Sequence, residues 1–211
     1  MTSSSRPLAE RERAALADLL EELGPDAPTC CEGWTTAHLA AHLVTRDRRP
    51  DTTPGYALES TRIGRPLAAW SHRAEDRRRG TTRYADLVAR VRSGPPRWLP
   101  AAWPPVAAVV DTAEYAIHHE DVRRAQPGWA PRALPREAQD RLWGTVVFFG
   151  RLAAGRVPGT LVLRRSDAPG VARRYGSGTP ETVVEGEPLE LLLWASGRRD
   201  AARVDVSTAG R

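Results

Sequence analysis

Five histidines occur in the chain, His38, His42, His72, His118 and His119, and four of them fall in two short stretches beside carboxylates. Glu114 and His118 are four residues apart, a spacing that puts two side chains on one helix face with Cβ atoms ~6 Å apart. They lie along the Val110 ridge, next to an apolar stripe of Ala113 and Ile117, so they should point inward. A buried carboxylate needs a partner, and a cation is a natural one. His42 sits in the apolar run AHLAAHLV, flanked by Leu39 and Leu43, and should also face inward. Two histidines and one glutamate from two helices make an open zinc site, with a fourth position left for water or a substrate sulfur. Helical bundles build such sites from facing helices. Spacing alone leaves other readings open. Glu114 and His118 could be a buried hydrogen-bonded pair, and His38 and His42 a solvated face. His119 or His38 could replace one of the ligands, although His119 is rotated ~100° from His118 on a helix. His72 precedes an arginine-rich run and reads as a surface residue.

The elements that must position these residues follow from periodicity. LAERERAALADLLEEL, residues 8–23, has helical spacing in Leu8, Arg11/Glu12, Ala15, Leu19 and Leu23, and Gly24-Pro25 stops it. PDAPTCCEG is a loop. A second helix opens at Trp34-Thr35-Thr36, with Thr35 or Thr36 as N-cap, and ends before Pro50 and the DTTPG turn. Gly64-Arg65-Pro66 interrupts the next segment, so helix is expected over Pro66–Arg79 and again over Tyr84–Val91. A proline-rich connector carrying Trp98 and Trp103 leads to the best defined helix, PVAAVVDTAEYAIHHEDVRRA, with Val106, Val110, Ala113 and Ile117 on one face. Leu134–Ala154 reads as one more helix. Beyond Gly155 the texture changes. GTLVLRRSD and ARVDVST alternate like strands, VARRYG and ETVVEG could be two more between Gly/Ser/Thr/Pro turns, and PLELLLWASGR is a short helix closed by Gly197. The fold expected is α+β, with a four-helix bundle over residues 1–154 and a small α/β domain over 155–211.

Composition removes several classes. All 31 basic residues are Arg, against 26 Asp+Glu, for a net charge of +5. A basic balance raises nucleic-acid binding, but the vicinal arginines at 48–49, 77–79, 123–124, 164–165, 173–174 and 198–199 are scattered. They read as solvated, ion-paired faces. Lys and Asn are both absent, as expected of a GC-rich genome because their codons are AT-rich. No apolar run approaches the ~20 residues that span a bilayer, and MTSSSRPLAERER has no signal-peptide core. Cys30 and Cys31 are adjacent and cannot frame a fold; a packed loop thiol is the plainer reading of Cys31, and metal ligation or oxidation of the pair the sharper one. A cytoplasmic location fits best. The chain carries no GxGxxG, P-loop or GxSxG motif.

Cys31-Glu32-Gly33-Trp34-Thr35-Thr36, followed by Leu39-Ala40-Ala41-His42-Leu43, resembles the first-ligand helix of the mycothiol-dependent maleylpyruvate isomerase family, DinB-like four-helix proteins of actinobacteria. Glu114-Tyr-Ala-Ile-His118-His119-Glu120-Asp121 resembles that family's second motif. The closing GEPLELLLWASGR and its following strand resemble the family's C-terminal domain, which is similar to sterol-carrier folds. The resemblance covers most of the chain. It implies that His42, Glu114 and His118 hold a divalent metal, usually zinc. Asp121, three residues from His118, could orient that ligand from outside the metal shell or pair with Arg124; His119 is the other outer residue. The resemblance further implies mycothiol as cosubstrate, a metal-held thiolate and an electrophilic small-molecule partner, hence a thiol transferase or isomerase. A non-catalytic metal- or small-ligand-binding protein on the same scaffold is the alternative. No nucleic-acid or membrane partner is expected. No catalytic or cofactor-binding side chain can be matched, and Arg164, Arg165, Arg173 and Arg174 match the isomerase's catalytic arginine in number only.

Overall fold

The computed structural model describes residues 7–49, 65–96, 98 and 104–210, with backbone alone at 65–68 and 104–109. The expected N-terminal tail, the DTTPG turn, the 56–64 stretch, Trp103 and the side chain of Val106 lie outside the described residues. The described residues form seven helices and four strands: α1 Leu8–Leu23, α2 Thr36–Arg48, α3 Arg65–Thr81, α4 Tyr84–Ser93, α5 Pro104–Arg123, α6 Arg136–Ala154, β1 Thr160–Arg165, β2 Ala172–Tyr175, β3 Glu181–Gly186, α7 Pro188–Ala195 and β4 Asp205–Ala209. The fold is α+β. Two compact units divide it: Met1–Asp111 with His118–Trp129, and Thr112–Ile117 with Ala130–Arg211. A sequence boundary at residue 154 would place α6 with the preceding helices. By packing it goes with the sheet, because α6 lies along α7.

In the first unit α2 packs on α3 and α4, and α1 packs on α4. Helix α1 buries Leu8, Glu12, Leu16, Ala17 and Leu20. Its inward ridge is therefore Leu8–Glu12–Leu16–Leu20, one residue out of phase with the expected Ala15–Leu19–Leu23. The shift follows from Glu12, which is drawn inward by a 2.8 Å hydrogen bond with His119. Helix α2 starts in a capping box. The backbone N–H of Thr35 donates to His38 Nδ1 at 3.2 Å, and the Thr35 hydroxyl lies 3.0 Å from the same nitrogen. His38 thus takes the place that Glu usually holds three residues into a helix.

The loop before α2 is tied to the end of α5. The backbone N–H of Cys30 donates to the Asp121 carbonyl at 2.8 Å, and Gln126 Nε2 donates to the Pro28 carbonyl at 3.0 Å. Every residue of α5 from Asp111 to Val122 is buried except Glu114, which is half-buried. The polar ones among them have partners, as buried charge requires. Arg46 reaches Asp111 at 2.5 Å, and Arg124 Nε donates to Glu120 at 2.6 Å. Val110, expected on the inward stripe with Ala113 and Ile117, is 46% exposed while those two are buried. A helical stripe shows which side the neighbours are on, not how far along the axis they extend.

In the second unit the sheet order is β2-β1-β3-β4, with β1 and β3 parallel and the outer pairs antiparallel. Helix α7 supplies a core of Leu189, Leu191, Leu192 and Leu193. Gln139 of α6 ties the start of α7 in two ways: its Oε1 accepts from the Leu189 N–H at 3.1 Å, and its Nε2 donates to Glu187 at 2.7 Å. Gly197, in the left-handed region at φ 101°, follows the last turn. A Cβ on Gly150 of α6 would lie 2.6 Å from the ring of Tyr175, whose hydroxyl donates to the Val147 carbonyl at 3.1 Å. Arginines in both units are ion-paired, as in Arg124–Glu120 at 2.6 Å in the first and Arg165–Asp167 at 2.6 Å in the second. Among the described residues, no helix is long and apolar enough to cross a membrane.

Candidate metal centre

Helix α5 carries four of the expected site residues, Glu114, His118, His119 and Asp121, in about two turns. Glu114 and His118 stack along one face, and Asp121 follows one turn beyond His118. Helix α2 contributes His42, whose ring centroid lies 5.2 Å from that of His118 and 5.2 Å from that of Trp34. One ligand atom from each of His42, Glu114 and His118 lies within 4.8 Å of the others. Both histidines are buried, and the Oε2 atom of Glu114 is out of contact with solvent.

The second ring nitrogen of each histidine is accounted for. His118 Nδ1 is 2.9 Å from Asp121 Oδ2, and His42 Nδ1 is 2.7 Å from Glu75 Oε1. Facing an ionised carboxylate, which only accepts, a neutral imidazole donates from Nδ1 and keeps its lone pair on Nε2. Two imidazole nitrogens and a carboxylate oxygen, gathered in a buried spot, match the donor set of an open zinc site. The residues present fit the metal that the sequence resemblance implies.

The remaining sequence candidates are placed as follows. Asp121 also accepts from the Cys31 thiol at 3.2 Å. Cys31, His118 and Asp121 form the other group among the described residues whose ligand atoms gather within 4.8 Å. His119 turns away from His118 to Glu12. His38 Nδ1 is engaged with Thr35 at the start of α2, and His38 belongs to neither ligand group. Cys30 is exposed. His72, expected at the surface, has a 40% exposed side chain but holds Glu75 Oε2 at 3.1 Å. Glu75 is the residue that the sequence reading passes over. It lies in the run HRAEDRRRG, where the signal available was its spacing of three from His72. A cavity of 290 Å³ is lined by Trp34, His38, His72, Glu75, Asp76 and Arg79, among others.

Fold and site together define an α+β protein with a His–Glu–His donor set on two helices of its helical part. No protein-family model matches the chain, and no curated protein matches it. Two solved structures do. The mycothiol-dependent maleylpyruvate isomerase is 18% identical, with 95% of this chain and 90% of that chain covered and a TM-score of 0.55. A histidine-to-alanine variant of the same isomerase is 19% identical, with the same coverage and TM-score. At these identities the likeness is one of fold, and it extends over nearly the whole chain.

Proposed function

We propose that this protein is a member of the mycothiol-dependent maleylpyruvate isomerase family and works as a divalent-metal-dependent thiol transferase or isomerase. The observation that carries the reading is the convergence of His42, Glu114 and His118 to within 4.8 Å on a fold shared with a mycothiol-dependent isomerase. Those three residues would hold the metal, zinc in the first instance, and Asp121 would fix the ring of His118. When bound, such an ion lowers the pKa of a thiol or water at its open position. The protein's own part is then to bind, orient and shield. His42 and His118 are themselves buried, and the Trp34 ring packs at a tilt 5.2 Å from that of His42. The cosubstrate would be a small thiol of the mycothiol type, and its partner an electrophile with an isomerisable double bond or a leaving group.

The test is zinc affinity by chelator competition, followed by thiol consumption with mycothiol and a panel of electrophiles. Stoichiometric zinc is expected in the parent protein. Each of His42→Ala and Glu114→Ala should bind zinc at least tenfold more weakly, as expected for removal of a coordinating side chain where even an outer partner is worth 10–100-fold. Retained affinity in both variants would refute the site. Zinc binding without thiol turnover would leave a non-catalytic binding protein.

A further inference from the structure

We infer that Glu75 is the positioning residue of His42: its carboxylate holds the imidazole in the Nδ1–H tautomer and turns Nε2 to the donor cluster. The inference rests on the proposed metal reading for its purpose, but its geometry stands by itself. Glu75 Oε1 lies 2.7 Å from His42 Nδ1, with side chains only 10% and 8% exposed. At that distance and burial the contact is a charge-assisted hydrogen bond, the strong kind. The other carboxylate oxygen, Oε2, is 3.1 Å from His72 Nδ1. His72 stands three residues before Glu75 on α3, so the two share a helix face. A carboxylate gripped at both oxygens has one orientation, and it transmits that orientation to the ring it binds.

The partner arrangement on the other ligand supports this role. His118 Nδ1 faces Asp121 Oδ2 at 2.9 Å. Each histidine of the donor set therefore has its Nδ1 on a buried carboxylate, one from its own helix and one from a neighbouring helix. Metal-binding histidines almost always have such a partner, and its loss costs 10–100-fold in metal affinity. A buried ion pair serving only to hold α2 against α3 would need one oxygen and no particular ring edge. His119 shows the same Nδ1 edge on buried Glu12, so what distinguishes His42 is that it also belongs to the ligand group with Glu114 and His118.

Two readouts test the role. In metal-free protein labelled with ¹⁵N-histidine, at alkaline pH where imidazoles are neutral, the His42 signal should show the Nδ1–H tautomer; His42→Ala identifies it. Glu75→Leu should convert that signal to the Nε2–H form or to a mixture. Glu75→Gln keeps an accepting oxygen and should retain the tautomer. In zinc competition, Glu75→Leu should weaken binding by about 10–100-fold, and Glu75→Gln by less. The Co(II)-substituted protein should show a shifted visible spectrum in Glu75→Leu. If Glu75→Leu does not fold, Glu75→Gln carries the affinity and cobalt measurements. An unchanged tautomer, or zinc affinity within twofold of the parent despite a lowered apo melting temperature, would make Glu75 a structural residue and overturn the inference. Failure of the metal reading is distinguishable: the parent itself would then bind zinc no better than His42→Ala, while the tautomer measurement remained informative.

Discussion

His118 and His119 are adjacent, yet their surroundings assign them opposite duties, and substituting each separates the two. His119 Nδ1 lies 2.8 Å from Glu12 Oε2, with side chains 7% and 6% exposed. Truncating one partner of a buried pair costs about 3–5 kcal/mol because the other group stays buried without it. Glu12 retains further contacts, which places the His119→Ala penalty at the lower end, about 3 kcal/mol. For a chain near 200 residues, each kcal/mol is worth roughly 2–4 °C, so the melting temperature should fall by about 6–12 °C. Zinc affinity, measured at a temperature where the variant is folded, should stay within twofold of the parent. Replacing both partners, as Glu12→Leu with His119→Leu, removes the buried polar groups together and should recover most of the loss. His118→Ala should instead abolish tight zinc binding. Circular dichroism melts and chelator competition on the same samples read both quantities. A His119→Ala variant that kept its melting temperature but lost zinc would reverse the assignment of the two histidines and refute the reasoning.

Two further predictions concern the second unit. Gly150→Ala should destabilise it by about 1–3 kcal/mol, the range for overpacking, although alanine is the better helix former; its Cβ would collide with the Tyr175 ring, and denaturant melts followed by tyrosine fluorescence check this. Arg165 holds the Asp167 carboxyl below its ordinary value, chiefly through their hydrogen bond. A depressed carboxyl contributes stability that is complete above the ordinary Asp pKa of about 3.9 and is lost as pH falls through the folded value. The gap in urea midpoint between the parent and Arg165→Met should therefore be constant above about pH 4 and close below it; a gap that widens with acid would contradict the pairing.

The elements were legible because their periods were clean. Helix α1 runs from Leu8 to Leu23 as its apolar spacing and Gly24-Pro25 indicate, and a strand forms over TLVLRR as expected, although it is buried at every residue but Arg164 rather than alternately. The phase of α1 was less legible. Glu12 lies on its buried ridge, and a carboxylate reads as solvent-facing until its distant partner, His119, is known. The His42, Glu114 and His118 grouping was legible in part. The spacing of four fixes Glu114 against His118 on any helix. The approach of α2 to α5 depends on packing, which no local pattern encodes. Glu75 was hidden by its neighbours: in HRAEDRRRG the density of charge signals a solvated face, and one buried carboxylate does not change that average. The same blindness affects α6. Sequence proximity joins it to the helices before it, whereas the bonds from Gln139 to the start of α7 and its packing along α7 join it to the second unit.

Paired histidines and carboxylates do not by themselves make a metal site, as His119 and Glu12 show. What separates the His42–Glu114–His118 group is that one ligand atom from each gathers within 4.8 Å of the others. With each Nδ1–H committed to a carboxylate, a neutral His42 and a neutral His118 retain only acceptor nitrogens at Nε2. Glu114, when ionised, adds further acceptors within 4.8 Å. Gathering three such groups in a buried space favours a proton or cation shared among them, because burial strengthens their mutual interactions. Protons can serve, by converting an imidazole to a donor, and so can a divalent cation. Because both occupy the same lone pairs, zinc uptake should release protons, and the release should shrink as the buffer becomes more alkaline. Calorimetry in two buffers of different ionisation enthalpy measures it. Proton release unchanged in His42→Ala and His118→Ala would place the zinc elsewhere in the chain.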